Sequence, residues 1–230
     1  MVMKHTFDWN DIDTVLLDMD GTLLDLYFDN FFWLEYLPQY WGEINGLDAS
    51  AAKQLLTTMY RQEKGTLSWY CLDFWSRQLN IDVLQLKYDV EHLIRFRPYA
   101  REFLTLLAGS AKQLVMVTNA HQKLIAMKQG KTGIKDYFDQ IVCAHDLGYP
   151  KEEIIFWQAL DQIVEFCRER TLLIDDNLAV LRTARSHGIR YLLSIARPDS
   201  NSPIQDTEEF TAIHSFRDLA AGIEVNHLSA

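Results

Sequence analysis

The sequence predicts an α/β fold: a doubly wound parallel sheet with a helical insertion after the first strand. Three observations carry this. Short apolar runs, several rich in β-branched residues, recur at 14–17, 113–117, 140–143, 171–174 and 191–195. Segments with helical spacing separate the later runs, and strands alternating with helices imply parallel β-α-β units. Between 26 and 96 the alternation stops, and only helical spacing is found.

The first run, Thr14-Val15-Leu16-Leu17, ends in Asp18-Met19-Asp20-Gly21, which reads as a buried strand closed by a polar turn. The insertion follows, with helices expected at 29–37, 48–63, 68–79 and 82–94. Arg97-Pro98 marks the return to the core, because proline disfavours helix at the residue before it. The division expected is therefore a core of residues 1–25 and 97–230 and a cap of residues 26–96. In the core, helices are expected at 101–107, 122–130, 152–166 and 178–187. Phe28, Phe31, Phe32, Trp33, Tyr36, Tyr40 and Trp41 crowd the start of the cap. They read as packing of a small helical bundle, with one or two rings turned towards a planar ligand.

At 230 residues the chain can bury a sizeable core without a disulfide scaffold, and 48% hydrophobic against 23% charged residues is a globular balance. Cys71, Cys143 and Cys167 have no C-x-x-C spacing, so they read as buried thiols, with neither a zinc site nor a redox pair. Residues 1–10 hold no apolar run suited to a signal peptide, and nowhere do about 18 apolar residues run together as a span needs. A cytoplasmic location is the expectation. A net charge of −10 disfavours nucleic-acid polymers and anionic membranes as partners. A small anionic substrate would need a local cation.

Sheets of this type bind ligands beyond the carboxyl ends of their strands, and three predicted strands end in polar clusters: Asp18-Met19-Asp20, Thr118-Asn119 and Asp175-Asp176. Residues two apart at a strand end face the same way, so Asp18 and Asp20 can converge on one ligand, and a hard cation such as Mg2+ would hold them ionised. Alone, Asp-x-Asp-Gly reads equally as a turn. Asp175-Asp176 add carboxylates at a neighbouring strand end, Thr118 and Asn119 add donors for phosphate oxygens, and Lys151 adds a cation ahead of a helix.

In order, Asp18-Met19-Asp20-Gly21-Thr22-Leu23, Val117-Thr118-Asn119-Ala120, Lys151 within Gly148-Tyr149-Pro150-Lys151, and Ile174-Asp175-Asp176-Asn177 resemble the four motifs of the haloacid dehalogenase (HAD) superfamily. The resemblance spans the chain and includes the insertion after the first motif. It implies a HAD-like Rossmannoid core and a Mg2+-dependent phosphatase. Asp18 would be the nucleophile forming an aspartyl-phosphate, and Asp20 the acid and base. Thr118, Asn119 and Lys151 would bind the transferring oxygens. Mg2+ would be held by Asp18, the Asp20 backbone carbonyl and the Asp175-Asp176 pair, with the direct ligand of that pair left open. An acidic residue at position 20 favours phosphoryl transfer over dehalogenation, since halide needs no protonation, but does not separate hydrolase from mutase.

The segments 18–33, 68–75, 148–151 and 190–200 look like the bacterial GMP/IMP nucleotidase branch of the superfamily. That resemblance implies GMP or IMP as substrate. A sugar phosphatase or phosphosugar mutase is the alternative within the superfamily, and a non-catalytic binding module the alternative outside it. His121 reads as a substrate contact or a helix-opening residue, and His145 and Asp146 as loop. Asp25 and Asp29 read as caps or hinge residues, and 197–200 as a surface loop.

Overall fold

The computed structural model describes residues 7–224; the reading of residues 1–10 and the ends of the predicted core therefore fall partly outside the described residues. The strands are β1 (Thr14–Leu17), β2 (Gln113–Thr118), β3 (Gln140–Cys143), β4 (Thr171–Ile174), β5 (Tyr191–Ile195) and β6 (Ala212–Ile213). They form one parallel sheet in the order β3-β2-β1-β4-β5-β6. The five expected strands are present. The two-residue β6 was not expected, being too short to carry a period of its own.

Side chains alternate across the sheet, so Val15 and Leu17 enter one core and Leu16 the other. Leu114 and Met116 against Val115 and Val117, and Leu172 and Ile174 against Leu173, repeat the division. A sheet buried on both faces is what near-continuous apolar runs encode. β1 lies in its middle, with Thr14 in register with both Gln113 and Thr171. Chain order reverses between β1 and β4, the position at which such sheets open a crevice.

The helical insertion between β1 and β2 begins with α1 (Tyr27–Phe31), a π-helical turn (Phe32–Tyr36) and α2 (Leu37–Asn45), which run on without a break in helical backbone. This is longer than the helix expected at 29–37. α3 (Ala49–Glu63), α4 (Leu72–Leu79) and α5 (Val83–Asp89) follow. Asp48 and Asp82 start α3 and α5 by accepting from the amides of Ala51 and Gln85, each at 2.9 Å. Where the chain leaves and re-enters the core, Leu24 and Phe96 form an antiparallel bridge. Asp25 N donates to Arg95 O at 3.0 Å, and Arg97 N to Leu23 O at 2.9 Å.

Helices of the core are α6 (Ala100–Ala108), α7 (Gln122–Thr132), α8 (Ala144–Leu147), α9 (Ile154–Leu160), α10 (Leu178–His187) and α11 (Phe216–Leu219). The helix expected over 152–166 is shorter. The chain turns at Asp161, whose carboxylate receives Arg168 and His187, and this lets Val164 drop into the second core. His145 and Asp146 lie in α8 rather than in a loop. Of the cysteines only Cys143 is buried; Cys71 is half-buried and Cys167 exposed, which corrects the reading of all three as buried thiols. Among the described residues no helix is long and apolar enough to cross a membrane.

Candidate active site

The reversal of chain order sets the end of β1 between the ends of β2 and β4, so Asp18, Thr118, Asp175 and Asp176 border one cavity of about 280 Å³. Lys151 enters from the loop between α8 and α9. Its ammonium donates to Asp18 Oδ1 and Asp175 Oδ2, each at 2.6 Å, and to Val117 O at 3.1 Å. Burial opposes its charge, but the carboxylates of Asp175 and Asp18 hold its proton more tightly than usual.

One ammonium does not balance this centre. Carboxylate oxygens of Asp18, Asp175 and Asp176 lie within 4.8 Å of one another, and Lys151 pairs with only two of them. Burial and the neighbouring charges of Asp18 and Asp175 push the Asp176 carboxyl well above its ordinary range. Burial, opposed by Lys151, lifts Asp175 to about 7. A converging set of oxygen ligands short of positive charge fits a hard divalent cation. The Asp20 side chain is not part of that set.

Gly21 makes this geometry possible. Its φ is +84°, and a Cβ there would stand 2.5 Å from Asp176 Oδ2. Thr22 Oγ1 accepts from Asp176 N at 3.1 Å, which ties the turn after β1 to the end of β4. Gly21→Ala is therefore expected to displace Asp176, lowering kcat by about 100-fold or more and stability by roughly 1–3 kcal/mol. Steady-state kinetics and urea unfolding check this; wild-type kcat in that variant would contradict it.

Asp20 makes a different connection. It pairs with Lys128 of α7, which also donates to Asp29 Oδ2 at 2.6 Å, while Lys87 of α5 donates to Asp29 Oδ1 at 2.9 Å. The buried chain Asp20–Lys128–Asp29–Lys87 thus runs from the core into the insertion. Burial lifts the Asp20 carboxyl to about 6, although Lys128 opposes the shift. Sequence reasoning placed Asp29 at a helix start or hinge. It lies in the first turn of α1, as a helix start, and is held there by two lysines, with Asn30 beside it donating to Asp199 Oδ2 at 2.7 Å. The 197–200 segment is likewise not a free surface loop. Asp199 is buried, and Ser200 N donates to Asp25 Oδ1 at 3.0 Å beside the crossing strands.

Thr118 Oγ1 accepts from Ala120 N at 3.0 Å. The Asn119 amide is committed: Oδ1 accepts from Lys151 N at 2.9 Å, and Nδ2 donates to Glu152 Oε2 at 2.8 Å. Glu152 was missed by sequence reasoning. It also accepts from Asn177 Nδ2 at 2.9 Å and from the hydroxyl of Tyr70, in the insertion, at 2.6 Å. His121 N-caps α7, its Nδ1 accepting from Lys123 N at 3.3 Å. Trp33, Trp69, Tyr70, Leu72 and Trp75 also line the cavity. Of the aromatic residues singled out at the start of the insertion, Trp33 is the one that reaches it, while Phe28 and Phe32 are core.

A sheet of this order, with an insertion after β1 and carboxylates at the ends of β1 and β4, belongs to one class of enzyme. The profile of the haloacid dehalogenase-like hydrolases matches residues 12–188, and the chain belongs to that family. It is 40% identical over 217 residues to the GMP/IMP nucleotidase YrfG of Escherichia coli K12, covering 94% of this chain and 98% of that protein. A HAD phosphatase from Thermococcus onnurineus superposes with a TM-score of 0.75 at 19% identity, over 90% of this chain and 96% of that one. The HAD hydrolase YfnB of Bacillus subtilis, solved with magnesium bound, superposes with a TM-score of 0.63 at 18% identity, over 93% of this chain and 99% of that one. At these identities the two structures share the fold.

Proposed function

We propose that this chain is a cytoplasmic, Mg2+-dependent phosphatase that hydrolyses the purine 5'-monophosphates GMP and IMP through an aspartyl-phosphate on Asp18. The observation that carries the substrate is the 40% identity to a GMP/IMP nucleotidase over nearly the whole of both chains, insertion included. The cavity agrees in chemistry: its carboxylates and Lys151 suit a cation and a phosphate, and its indole rings suit a flat base.

In this reading Asp18 attacks phosphorus in line, and Lys151 and Thr118 bind the equatorial oxygens. Asn119 contributes by fixing the loop that carries Lys151 and by its backbone amide. Asp20, lifted to about 6, holds a proton long enough to give it to the leaving ribose oxygen, then takes one from the attacking water. Mg2+ would be held by Asp18, the Asp20 carbonyl, Asp175 and Asp176, and when bound supplies positive charge to the transferring phosphoryl group. Magnesium in the YfnB structure supports the choice of ion. Residues 26–96 form the cap, which closes over the site about the crossing strands at Leu24 and Phe96, and residues 1–25 and 97–230 form the core.

Phosphate release from GMP, IMP, AMP, UMP and sugar phosphates with Mg2+ tests the substrate. kcat/KM for GMP and IMP is expected to exceed that for every sugar phosphate by at least about 10-fold. Sugar phosphates hydrolysed or isomerised faster than GMP and IMP would contradict the assignment.

A further inference from the structure

Cys71, His121 and His145 meet where the insertion faces the core, and none of them belongs to the carboxylate site. Each offers one ligand atom, and the three atoms lie within 4.8 Å of one another. Cys71 precedes α4 in the insertion, His121 precedes α7 after β2, and His145 lies in α8 after β3. The grouping is thus a product of tertiary structure, which is why the spacing of the cysteines gave no sign of it.

Each side chain is prepared for a soft cation rather than for Mg2+. Cys71 Sγ points back at the start of α4 and accepts from Phe74 N at 3.4 Å. His145 Nε2 is buried without a well-aligned hydrogen bond, although the backbones of Tyr70 and Asn119 come close enough to interact with the ring. A buried ring nitrogen left in that state calls for an explanation, and a bound ion supplies one. The two imidazoles stand edge to face with centroids 5.0 Å apart. His121 Nε2 faces Asp73 Oδ2 at 3.8 Å, with Asp73 Oδ1 fixed by Lys123 at 2.5 Å, so Nδ1 is the nitrogen a metal would take, in place of the 3.3 Å bond it accepts from Lys123 N. A carboxylate behind a histidine is the usual device for orienting a metal-bound ring.

We propose that Cys71, His121 and His145 form a second metal site, selective for Zn2+, that clasps the insertion to the core. One thiolate and two imidazoles are ligands for zinc and not for magnesium, so the two sites sort their ions by softness. Tetrahedral zinc with these ligands sets its donor atoms roughly 3.3–3.8 Å apart, a spacing that side chains already within 4.8 Å of one another reach by small rotations. The fourth position is open to water. Occupied, the site joins α4 to the ends of β2 and β3 and restrains opening of the cavity. This inference does not depend on the identity of the phosphorylated substrate.

The test uses the full chain with excess Mg2+, titrated with Co2+ and then with Zn2+. One equivalent of Co2+ is expected to give a thiolate-to-cobalt charge-transfer band together with the visible bands of a four-coordinate ion, and one equivalent of Zn2+ to bleach both. Cys71→Ser should abolish the charge-transfer band. His121→Gln and His145→Gln should each weaken Zn2+ binding by at least about 100-fold, while Cys167→Ser, at an exposed cysteine, changes neither. Zn2+ should also slow amide exchange in α4 of the wild type and not of Cys71→Ser. No charge-transfer band in the wild type, or a band that survives Cys71→Ser, overturns the site. A band without slowed exchange in α4 overturns the clasp.

Discussion

Asp18→Asn is expected to lower kcat for phosphomonoester hydrolysis by at least about 10⁴-fold while leaving the protein folded. The rate effect follows from the proposed role: an amide of the same shape cannot form the acyl phosphate, and loss of a nucleophile removes the whole covalent route. The persistence of the fold follows from the charges. Lys151 keeps its 2.6 Å bond to Asp175, and one of three crowded carboxylates is neutralised without a change of volume. The melting temperature of the metal-free variant is therefore expected to equal or exceed that of the metal-free wild type. Stopped-time phosphate assays and a thermal melt check the two halves separately. Hydrolysis at near wild-type rate would remove Asp18 from the mechanism.

The largest stability effect is expected at Asp29. Lys87 has a fully buried side chain whose ammonium stands 4.3 Å from the Phe32 ring centroid and 4.7 Å from that of Phe28, and Asp29 is its ion-pair partner. Lys128 shares Asp29 with Asp20. Asp29→Asn leaves two buried ammoniums with one carboxylate, at a cost of about 3–5 kcal/mol. In a chain of this size that lowers the melting temperature on the order of 10 °C. The pH dependence separates this from a packing defect. Burial alone would raise the Asp29 carboxyl, but Lys128 and Lys87 outweigh it and hold it at about 2, against about 3.9 in an unfolded chain. A carboxyl depressed in the folded state stabilises fully above its unfolded value and loses that contribution as pH falls through the folded one. Between pH 4 and pH 2 the wild type should thus lose stability more steeply than Asp29→Asn. Parallel urea midpoints for the two proteins over that interval would rule the ion pairs out as the source.

The sheet was legible because its strands are buried on both faces and read as plain apolar runs, and the carboxylates because they close those runs. Lys128 and Lys87 were not found, since a lysine in a helix reads first as solvated. Both carried a signal, however. Lys128 follows Leu124 by four residues and Ile125 by three, and Lys87 follows Val83 by four, so each stands in the buried stripe of its helix. A charge in an apolar stripe requires a partner, and Asp29 provides it for both. Glu152 gave no such signal: it is one of two glutamates after Lys151, and the approach of Tyr70, Asn119 and Asn177 is what distinguishes it. The Cys71–His121–His145 grouping was equally beyond sequence, because its members come from three elements joined only by the fold.

Covalent capture of the intermediate tests the central claim most directly. Wild-type protein turning over GMP with Mg2+ is quenched with borohydride, which reduces an acyl phosphate but not a free carboxylate, and the peptide carrying the first motif is then sequenced by mass spectrometry. The account predicts conversion of Asp18 to homoserine, dependent on GMP and Mg2+, with Asp20, Asp175 and Asp176 unmodified. Reduction at any of those residues in place of Asp18, or an unmodified peptide from enzyme that is releasing phosphate, would contradict it.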